Sequence, residues 1–189
     1  MEESYRNEIT QLFGKYADYL YSYAITRVND RQVAEDLVQE TFIAAYKNYG
    51  TFRSKSKAST WLTAILKNKI IDLYRKKVKE FHKESLDELA RTDDYFNEKG
   101  HWRKDALPGN WKIETAAPIE QTEFYEVLQQ CLSRLSELQR MAFVMKHMDD
   151  ADTEEICKEL DITASNYWVV IHRAKLQLRQ CLEKHWIKT

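Results

Sequence analysis

Two consecutive stretches decide the fold of this chain: NDRQVAEDLVQETFIAAY at residues 29–46 and WLTAILKNKIIDLYRKK at residues 61–77. Each repeats apolar residues at three- and four-residue spacing, which is the pattern of an amphipathic helix with one buried stripe. The first helix is acidic, whereas the second is basic and carries an aromatic residue at its start. An acidic helix suits a protein partner and a basic one suits nucleic acid, so the pair predicts a molecule that bridges the two.

Similar helical spacing continues on both sides of these stretches and predicts an all-α protein. The chain has 189 residues with only four glycines and two prolines, too few turn residues for a sheet. Both prolines and two of the glycines fall between residues 81 and 120, where the periodicity fades. We therefore predict two small helical domains, 1–80 and 121–189, joined by a linker at 81–120. Aromatic residues in the linker predict that parts of it pack against something: Tyr95, Phe96, Trp102 and Trp111.

The charge of the chain is strongly segregated, although its net value is only −1. Residues 51–80 hold nine basic and two acidic groups, a net charge of +7. Residues 167–189 hold five basic groups and one acidic group, a net charge of +4, while residues 1–50 have a net charge of −3. Two basic islands in an acidic body predict two surfaces that face phosphates.

The C-terminal part has the pattern of a helix-turn-helix, with a short helix at 153–160, a turn at 161–163 and a long helix to about residue 184. Thr163 is placed to cap the long helix. Apolar residues at helical spacing face the core: Tyr167, Ile171, Ala174, Leu178 and Leu182. The other side of the helix and its first turns are predicted to contact duplex DNA. The candidate residues are Thr163, Ser165, Asn166, Trp168, Val169, His172, Arg173, Lys175 and Arg179.

Two of these candidates are apolar where a base-reading helix usually presents polar side chains. Trp168 and Val169 can contact the methyl groups of thymine, or they can form a patch for a protein partner. Both interpretations stay open from the sequence.

The first basic island joins a hydroxyl-rich loop to the basic helix and predicts a groove for single-stranded or locally opened DNA. Trp61 can stack on a base there, although burial in the core is the usual fate of tryptophan. The charged and amide candidates are Arg53, Lys55, Lys57, Lys67, Asn68, Arg75 and Lys76.

The sequence gives little support to other kinds of site. Cys131, Cys157 and Cys181 are odd in number and widely spaced, which favours reduced thiols and a cytoplasmic setting. Cys181 and His185 have the spacing to share one metal ion, but no further Cys or His pair completes a zinc site. The sequence has no Gly-rich phosphate loop, signal peptide or membrane-length apolar run. We predict no metal, no cofactor, no enzymatic activity and no membrane insertion.

Three separated motifs resemble the sigma-70 family of bacterial RNA polymerase sigma factors, in its short extracytoplasmic-function (ECF) group. They are DRQVAEDLVQETFIAAYKNYGTF, then STWLTAILKNKIIDLYRKK, then SRLSELQRMAFVMKHMDDADTEEICKELDIT with IHRAKLQLRQCLE. The resemblance covers about residues 10–79 and 121–184, in the order of the family. It implies a subunit that binds core RNA polymerase and directs it to promoter DNA, with an anti-sigma factor as inhibitory partner.

The resemblance also implies roles for residues. The acidic helix would grip the clamp coiled coil of the largest polymerase subunit, through Glu35, Asp36, Leu37, Gln39, Glu40 and Phe42. The basic loop and helix would recognise the −10 element and hold a flipped base, with Trp61, Asn68, Asp72 and Arg75 at the centre. The long C-terminal helix would read the −35 element. Asp161 stands where the family usually has glycine in the turn, and aspartate tolerates that geometry.

Two other classes of protein share parts of this pattern. A stand-alone helix-turn-helix regulator binds duplex DNA without polymerase and needs no acidic docking helix. An all-helical adaptor would use the surface around Trp168 for a protein and would show no salt-dependent DNA binding.

Overall fold

The computed structural model describes residues 2–52, 57–81, 95–97, 102–107 and 118–186. Its helices are α1 (Glu2–Val28), α2 (Arg31–Asn48), α3 (Ala58–Phe81), α4 (Pro118–Leu132), α5 (Glu137–His147), α6 (Thr153–Glu159) and α7 (Ala164–His185), with single 3₁₀ turns at Tyr49–Thr51 and Lys104–Ala106. Within these ranges no strand forms, which confirms the all-α prediction. The chain divides into two compact units, residues 1–76 and 77–189.

The first unit is built from α1, α2 and most of α3. The chain reverses between α1 and α2 in two residues, because Asn29 adopts a left-handed conformation with φ of 53° and Asp30 then caps α2. The Asp30 carboxylate accepts a hydrogen bond from the Val33 amide at 3.0 Å. Tyr74 of α3 is buried and its hydroxyl donates to the Arg27 carbonyl at 2.9 Å, which ties α3 to the end of α1.

A cap at Ser59 or Thr60 would place the start of α3 two or three residues later than it lies. Its hydroxyl residues Ser59 and Thr60 suggest a cap, yet the helix begins at Ala58 and the Trp61 amide donates to the Lys57 carbonyl at 3.2 Å. Trp61 also contacts aromatic rings that precede the helix. Tertiary contacts of the first turn therefore override the local capping signal.

The second unit contains the predicted helix-turn-helix. Ser136 and Gln139 form a capping box at the start of α5, and Thr163 caps α7 by accepting from the Asn166 amide at 3.2 Å. In the turn before α7, Asp161 has a φ of 50°, the left-handed conformation that glycine usually supplies. The apolar residues of α7 predicted to face the core are all buried: Tyr167, Ile171, Ala174, Leu178 and Leu182.

The prediction of reduced cysteines is wrong for two of the three. Cys131 of α4 and Cys181 of α7 form a disulfide across a sequence separation of 50 residues. The packing of α4 on α7 brings their Cα atoms to 5.7 Å, within the range that a disulfide requires. The wide spacing in sequence hides this contact, because residues on neighbouring helices meet only after folding. Cys157 is a free, half-buried thiol whose pKa is raised by burial.

Among the described helices, none is both long enough and apolar enough to cross a bilayer.

Candidate protein and nucleic-acid interfaces

The acidic helix α2 separates its buried side cleanly from its exposed side. Leu37 and Phe42, two of the predicted polymerase-binding residues, are only 7% and 5% exposed. The Phe42 ring packs on Phe13 of α1, with centroids 4.9 Å apart. These two residues therefore position the helix within the first unit and are not available at its surface.

The exposed side of α2 combines carboxylates with large apolar side chains. Asp36, Gln39 and Glu40 are exposed as predicted. Ile43 is 55% exposed and Tyr46 is 40% exposed, and they lie two turns beyond Asp36 and Gln39. Neither residue is among the candidates predicted from the sequence, although an isoleucine two turns after an aspartate on a helix is a detectable signal. We call Asp36, Gln39, Glu40, Ile43 and Tyr46 the α2 face.

Acidic side chains on α2 have partners within the chain. Arg31 pairs with the half-buried Glu35 at 3.0 Å, and this pair raises the pKa of the arginine. The Gln32 amide donates to Asp36 at 3.3 Å. Glu40 pairs with Lys69 of α3 at 2.8 Å, so this carboxylate joins the acidic helix to the basic one. Exposed pairs of this kind contribute little stability and exchange readily for other partners.

One stripe of α3 carries the central residues predicted for the −10 element. Asn68, Asp72 and Arg75 follow each other at four- and three-residue spacing and are all exposed. Asp72 accepts from Arg75 at 2.9 Å, which orients the guanidinium along the helix. Lys76 is exposed beside them, whereas Lys67 is half-buried and lies roughly 100° around the helix from Asn68. We call Trp61, Asn68, Asp72, Arg75 and Lys76 the α3 stripe.

Trp61 begins this stripe in an aromatic cluster. Its ring stacks on Phe52 with centroids 4.5 Å apart and meets the edge of Tyr49 at 6.1 Å. The Tyr49 hydroxyl donates to the Glu8 carboxylate, which raises the tyrosine pKa. Trp61 is half-buried, so it combines a packing role with an accessible edge. Lys57 precedes it and is exposed, while the predicted Arg53 and Lys55 lie outside the described residues.

The first two turns of α7 are open, as a DNA-reading helix requires. Ser165 is exposed and Trp168 is 41% exposed, while Asn166 and Val169 are half-buried. Thr163 is exposed, but its hydroxyl accepts the cap hydrogen bond. Side chains at this end of the helix are thus accessible, and their contact with DNA stays a prediction.

Farther along α7, residues predicted to contact DNA are covered by the linker. We call residues 95–97 and 102–107 the strap. Its two pieces pair through a bridge between Phe96 and Trp102. Phe96 is 5% exposed and lies parallel to the His172 ring at 4.1 Å. Arg179 donates from Nη1 to the Ala106 carbonyl at 2.6 Å, and its guanidinium lies over the Trp102 ring at 5.3 Å. The prediction that these residues face outward to DNA is therefore wrong for this conformation of the chain.

Lys175 borders a cavity of about 310 Å³ instead of extending freely into solvent. The cavity has largely apolar walls: Trp102, Phe124, Leu128, Phe143, His147, Leu178, Arg179 and Leu182 complete its lining. Burial lowers the pKa of Lys175, and nearby Lys146 lowers it further. Burial and the charge of Lys175 likewise lower the pKa of His147, whose ring packs on Phe143 at 4.7 Å.

The spacing of Cys181 and His185 does not produce a metal site in this structure. The Cys181 sulfur is bonded to Cys131, and the Arg134 guanidinium lies 3.1 Å from the His185 ring. In the part of the chain that the structure describes, no group of three His, Cys, Asp or Glu residues is arranged to hold a metal ion.

Comparison with known proteins agrees with this arrangement of two helical units. The family model for sigma-70 region 2 matches residues 12–80, and the model for sigma-70 region 4 matches residues 125–178. A "Probable RNA polymerase sigma factor" of Haemophilus influenzae is 38% identical over 87% of this chain and 84% of its own length. The ECF RNA polymerase sigma factor SigM of Bacillus subtilis is 28% identical over 90% of this chain and 93% of its own.

Solved structures also include similar chains. The sigma factor RpoE of Bartonella quintana, crystallised with the anti-sigma factor NepR, matches 93% of this chain and 97% of its own, with 20% identity and a TM-score of 0.44. The extent and identity of the sequence matches decide the family. This chain belongs to the sigma-70 family of RNA polymerase sigma factors, in its ECF group.

Proposed function

We propose that this sigma factor binds core RNA polymerase through the α2 face and holds promoter DNA at two points, the α3 stripe and the start of α7. Residues 1–80 would form the polymerase-docking and −10 domain, 81–120 the linker, and 121–189 the −35 domain. The chain would perform no chemistry itself, since phosphodiester bond formation belongs to the polymerase. It would act in the cytoplasm, where polymerase and promoter DNA meet.

The observation that carries this proposal is the composition of the α2 face. An exposed isoleucine and an exposed tyrosine lie beside two carboxylates and an amide on the α2 face, and the other exposed side chains of the helix are charged or amide groups. Apolar and aromatic anchors within a polar surround are typical of protein interfaces. Carboxylates at the rim would complement a basic partner and speed its association. A stand-alone DNA-binding protein has no use for such a face.

The α3 stripe suits opened DNA at the −10 element. Arg75 and Lys76 offer cations to phosphates, Asn68 offers an amide to a base edge, and Trp61 offers an aromatic edge near the start of the helix. Asp72 would accept a hydrogen bond from an extruded base or orient Arg75, with which it already pairs. An unpaired base therefore finds both stacking and hydrogen-bonding partners along one helix face.

The start of α7 suits duplex DNA at the −35 element. Ser165 is free to bond a phosphate or a base edge, and Trp168 presents a broad apolar surface beside it. We expect Trp168 to contact thymine methyl groups in the major groove, which would favour a −35 element that contains thymine. We expect an anti-sigma factor to bind the α2 face and not the surface around Trp168. It would block initiation because it would occupy the site proposed for core polymerase.

Run-off transcription with core polymerase tests this proposal. We expect purified protein to direct defined transcripts from a subset of fragmented genomic templates, and core polymerase alone to yield none of them. The double variant Asp36→Lys/Glu40→Lys should lose these products together with binding to core polymerase. Arg31→Glu on the same helix is a matched control, because its side chain is exposed beside Glu35 outside the α2 face. Absence of any promoter-dependent product from a folded protein would refute the proposal.

A further inference from the structure

We propose that the strap and duplex DNA compete for one face of α7, so that the strap holds the DNA-reading helix closed in the free chain. The inference rests on the proposed function, because covering α7 matters only if α7 reads DNA. The strap and α7 lie in the same compact unit.

The contacts of the strap fall on a single side of α7. His172 and Arg179 are seven residues apart, which places them two turns apart on one face. Leu176 lies between them on that face and is only 9% exposed. One turn before His172, the Trp168 ring lies 5.7 Å from the histidine ring and is 41% exposed. The covered face is therefore a direct continuation of the open end of the helix.

A duplex cannot use this face while the strap is docked. The parallel contact with Phe96 occupies one side of the His172 imidazole, and both residues are under 10% exposed. The Arg179 guanidinium donates to Ala106 and Glu183 and lies over Trp102. A phosphate would have to replace these partners. DNA binding by this part of α7 thus requires the strap to leave.

Arg173 is a further cation on α7, about 120° around the helix from Arg179. Its Nε and Nη2 atoms are buried and make no hydrogen bond within the described part of the chain. A buried guanidinium nitrogen without an acceptor is costly, and a phosphate oxygen is a strong acceptor for it. Arg173 therefore offers α7 a second phosphate contact, separate from that of Arg179.

The closure depends on aromatic and apolar contact more than on charge. Salt weakens the binding of DNA to a protein because counterions are released, but it barely affects the packing of Phe96. The strap should therefore hold at physiological salt, where phosphate contacts are weakened. A helix that is uncovered for one-tenth of the time binds about ten-fold more weakly than one that is always open.

The test compares DNA binding by full-length wild type, Phe96→Ala and Trp102→Ala. Fluorescence anisotropy with a labelled 30-base-pair duplex of random sequence measures the affinity, since phosphate contacts need no particular promoter. We expect both variants to bind about ten-fold more tightly than wild type. Adding Arg179→Ala to Phe96→Ala should remove most of the gain. Leu107→Ala is the matched control, because this strap residue is 57% exposed and its removal should leave affinity unchanged.

Hydrogen exchange at the Arg103 amide reports the strap itself, since that amide donates to Tyr95 at 2.9 Å. We expect protection in wild type and loss of protection in Phe96→Ala. Equal DNA affinities in all variants would overturn the inference, and so would an unprotected Arg103 amide in wild type. In either case promoter-dependent transcription by wild type would show that the proposed function survives. Loss of transcription by wild type would instead refute the proposed function.

Discussion

The two helices that we propose for DNA contact differ in how exposed their candidate residues are. On α3, the residues Asn68, Asp72 and Arg75 are exposed, and Asp72 pairs with Arg75. On α7, His172 and Arg179 lie beneath the strap, and only the first two turns are open. If both proposals hold, the first unit offers its DNA-contacting residues without rearrangement, whereas the second exposes all of its own only after the strap leaves.

The two units also differ in how they are held together. The first unit contains no cysteine and relies on packing such as that of the buried Tyr74. The second unit is cross-linked between α4 and α7 by Cys131 and Cys181. A disulfide limits the conformations of the unfolded chain. Redox conditions should therefore change the stability of one unit and leave the other unaffected.

The largest expected effect is the response of the second unit to a reductant. The disulfide closes a loop of 50 residues, for which chain entropy gives about 4 kcal/mol of unfolding free energy. Dithiothreitol should lower the free energy of unfolding of the second unit by roughly 2–4 kcal/mol. Hydrogen exchange in urea, followed separately for α1–α3 and α4–α7, measures the two units in one sample.

Two cysteine variants control this experiment. Cys181→Ser should resemble the reduced wild type and show no further response to dithiothreitol. Cys157→Ser should respond like wild type, because Cys157 is a free thiol. A response of equal size in both units would show that the reductant acts by some route other than this cross-link.

The second prediction concerns the open surface of the first unit. Ile43→Asp places a charge at the centre of the α2 face and should weaken binding to core polymerase by about 2 kcal/mol, roughly thirty-fold in Kd. Tyr19→Asp is the matched control, since Tyr19 is 52% exposed on α1 and lies outside the α2 face. Equal losses in the two variants would mean that net charge, not the α2 face, governs the association.

The third prediction tests whether DNA binds to the one side of α3 that carries the α3 stripe. Arg75→Ala should weaken binding to a bubble duplex by about 1 kcal/mol, roughly five-fold, and reduce the salt dependence by about one counterion. Lys67→Ala removes a cation from the same helix but from another side of it, so its effect should be smaller. If the two variants weaken binding equally, the basic charge of α3 acts as a diffuse field and the stripe has no special role.

Local patterns in the sequence predicted most of the fold. Helical spacing and the cap at Thr163 could be predicted, because they depend on residues close together in the chain. The disulfide could not be predicted in this way, because it depends on how α4 packs on α7. The start of α3 also escaped prediction, since aromatic contacts of Trp61 outweigh the hydroxyl residues beside it.

The candidate sites were less predictable than the fold. Sequence spacing identifies the side of α7 away from its own core, but it does not show that the linker covers that side. The aromatic content of the linker predicted docking somewhere, and Phe96 and Trp102 supply it. Ile43 was not predicted, because an apolar residue of an amphipathic helix is expected on its buried side. Charge patterns thus indicated the partners, while burial determined which side chains remain available.

The smallest expected effect is a pH response confined to the second unit. Burial and the charges of Lys175 and Lys146 lower the pKa of His147 below its ordinary value of 6.5, although Asp150 partly opposes them. As the pH falls below 6.5, the unfolded chain takes up a proton before the folded one does, so stability falls until the folded histidine is protonated as well. Well above pH 6.5 both states are neutral at this residue, so it contributes no slope there. The melting temperature of the second unit between pH 7.5 and 5 should therefore decline less steeply in His147→Gln than in wild type, while α1–α3 show the same profile in both proteins. An unchanged slope in the variant would assign the decline to other groups of the second unit.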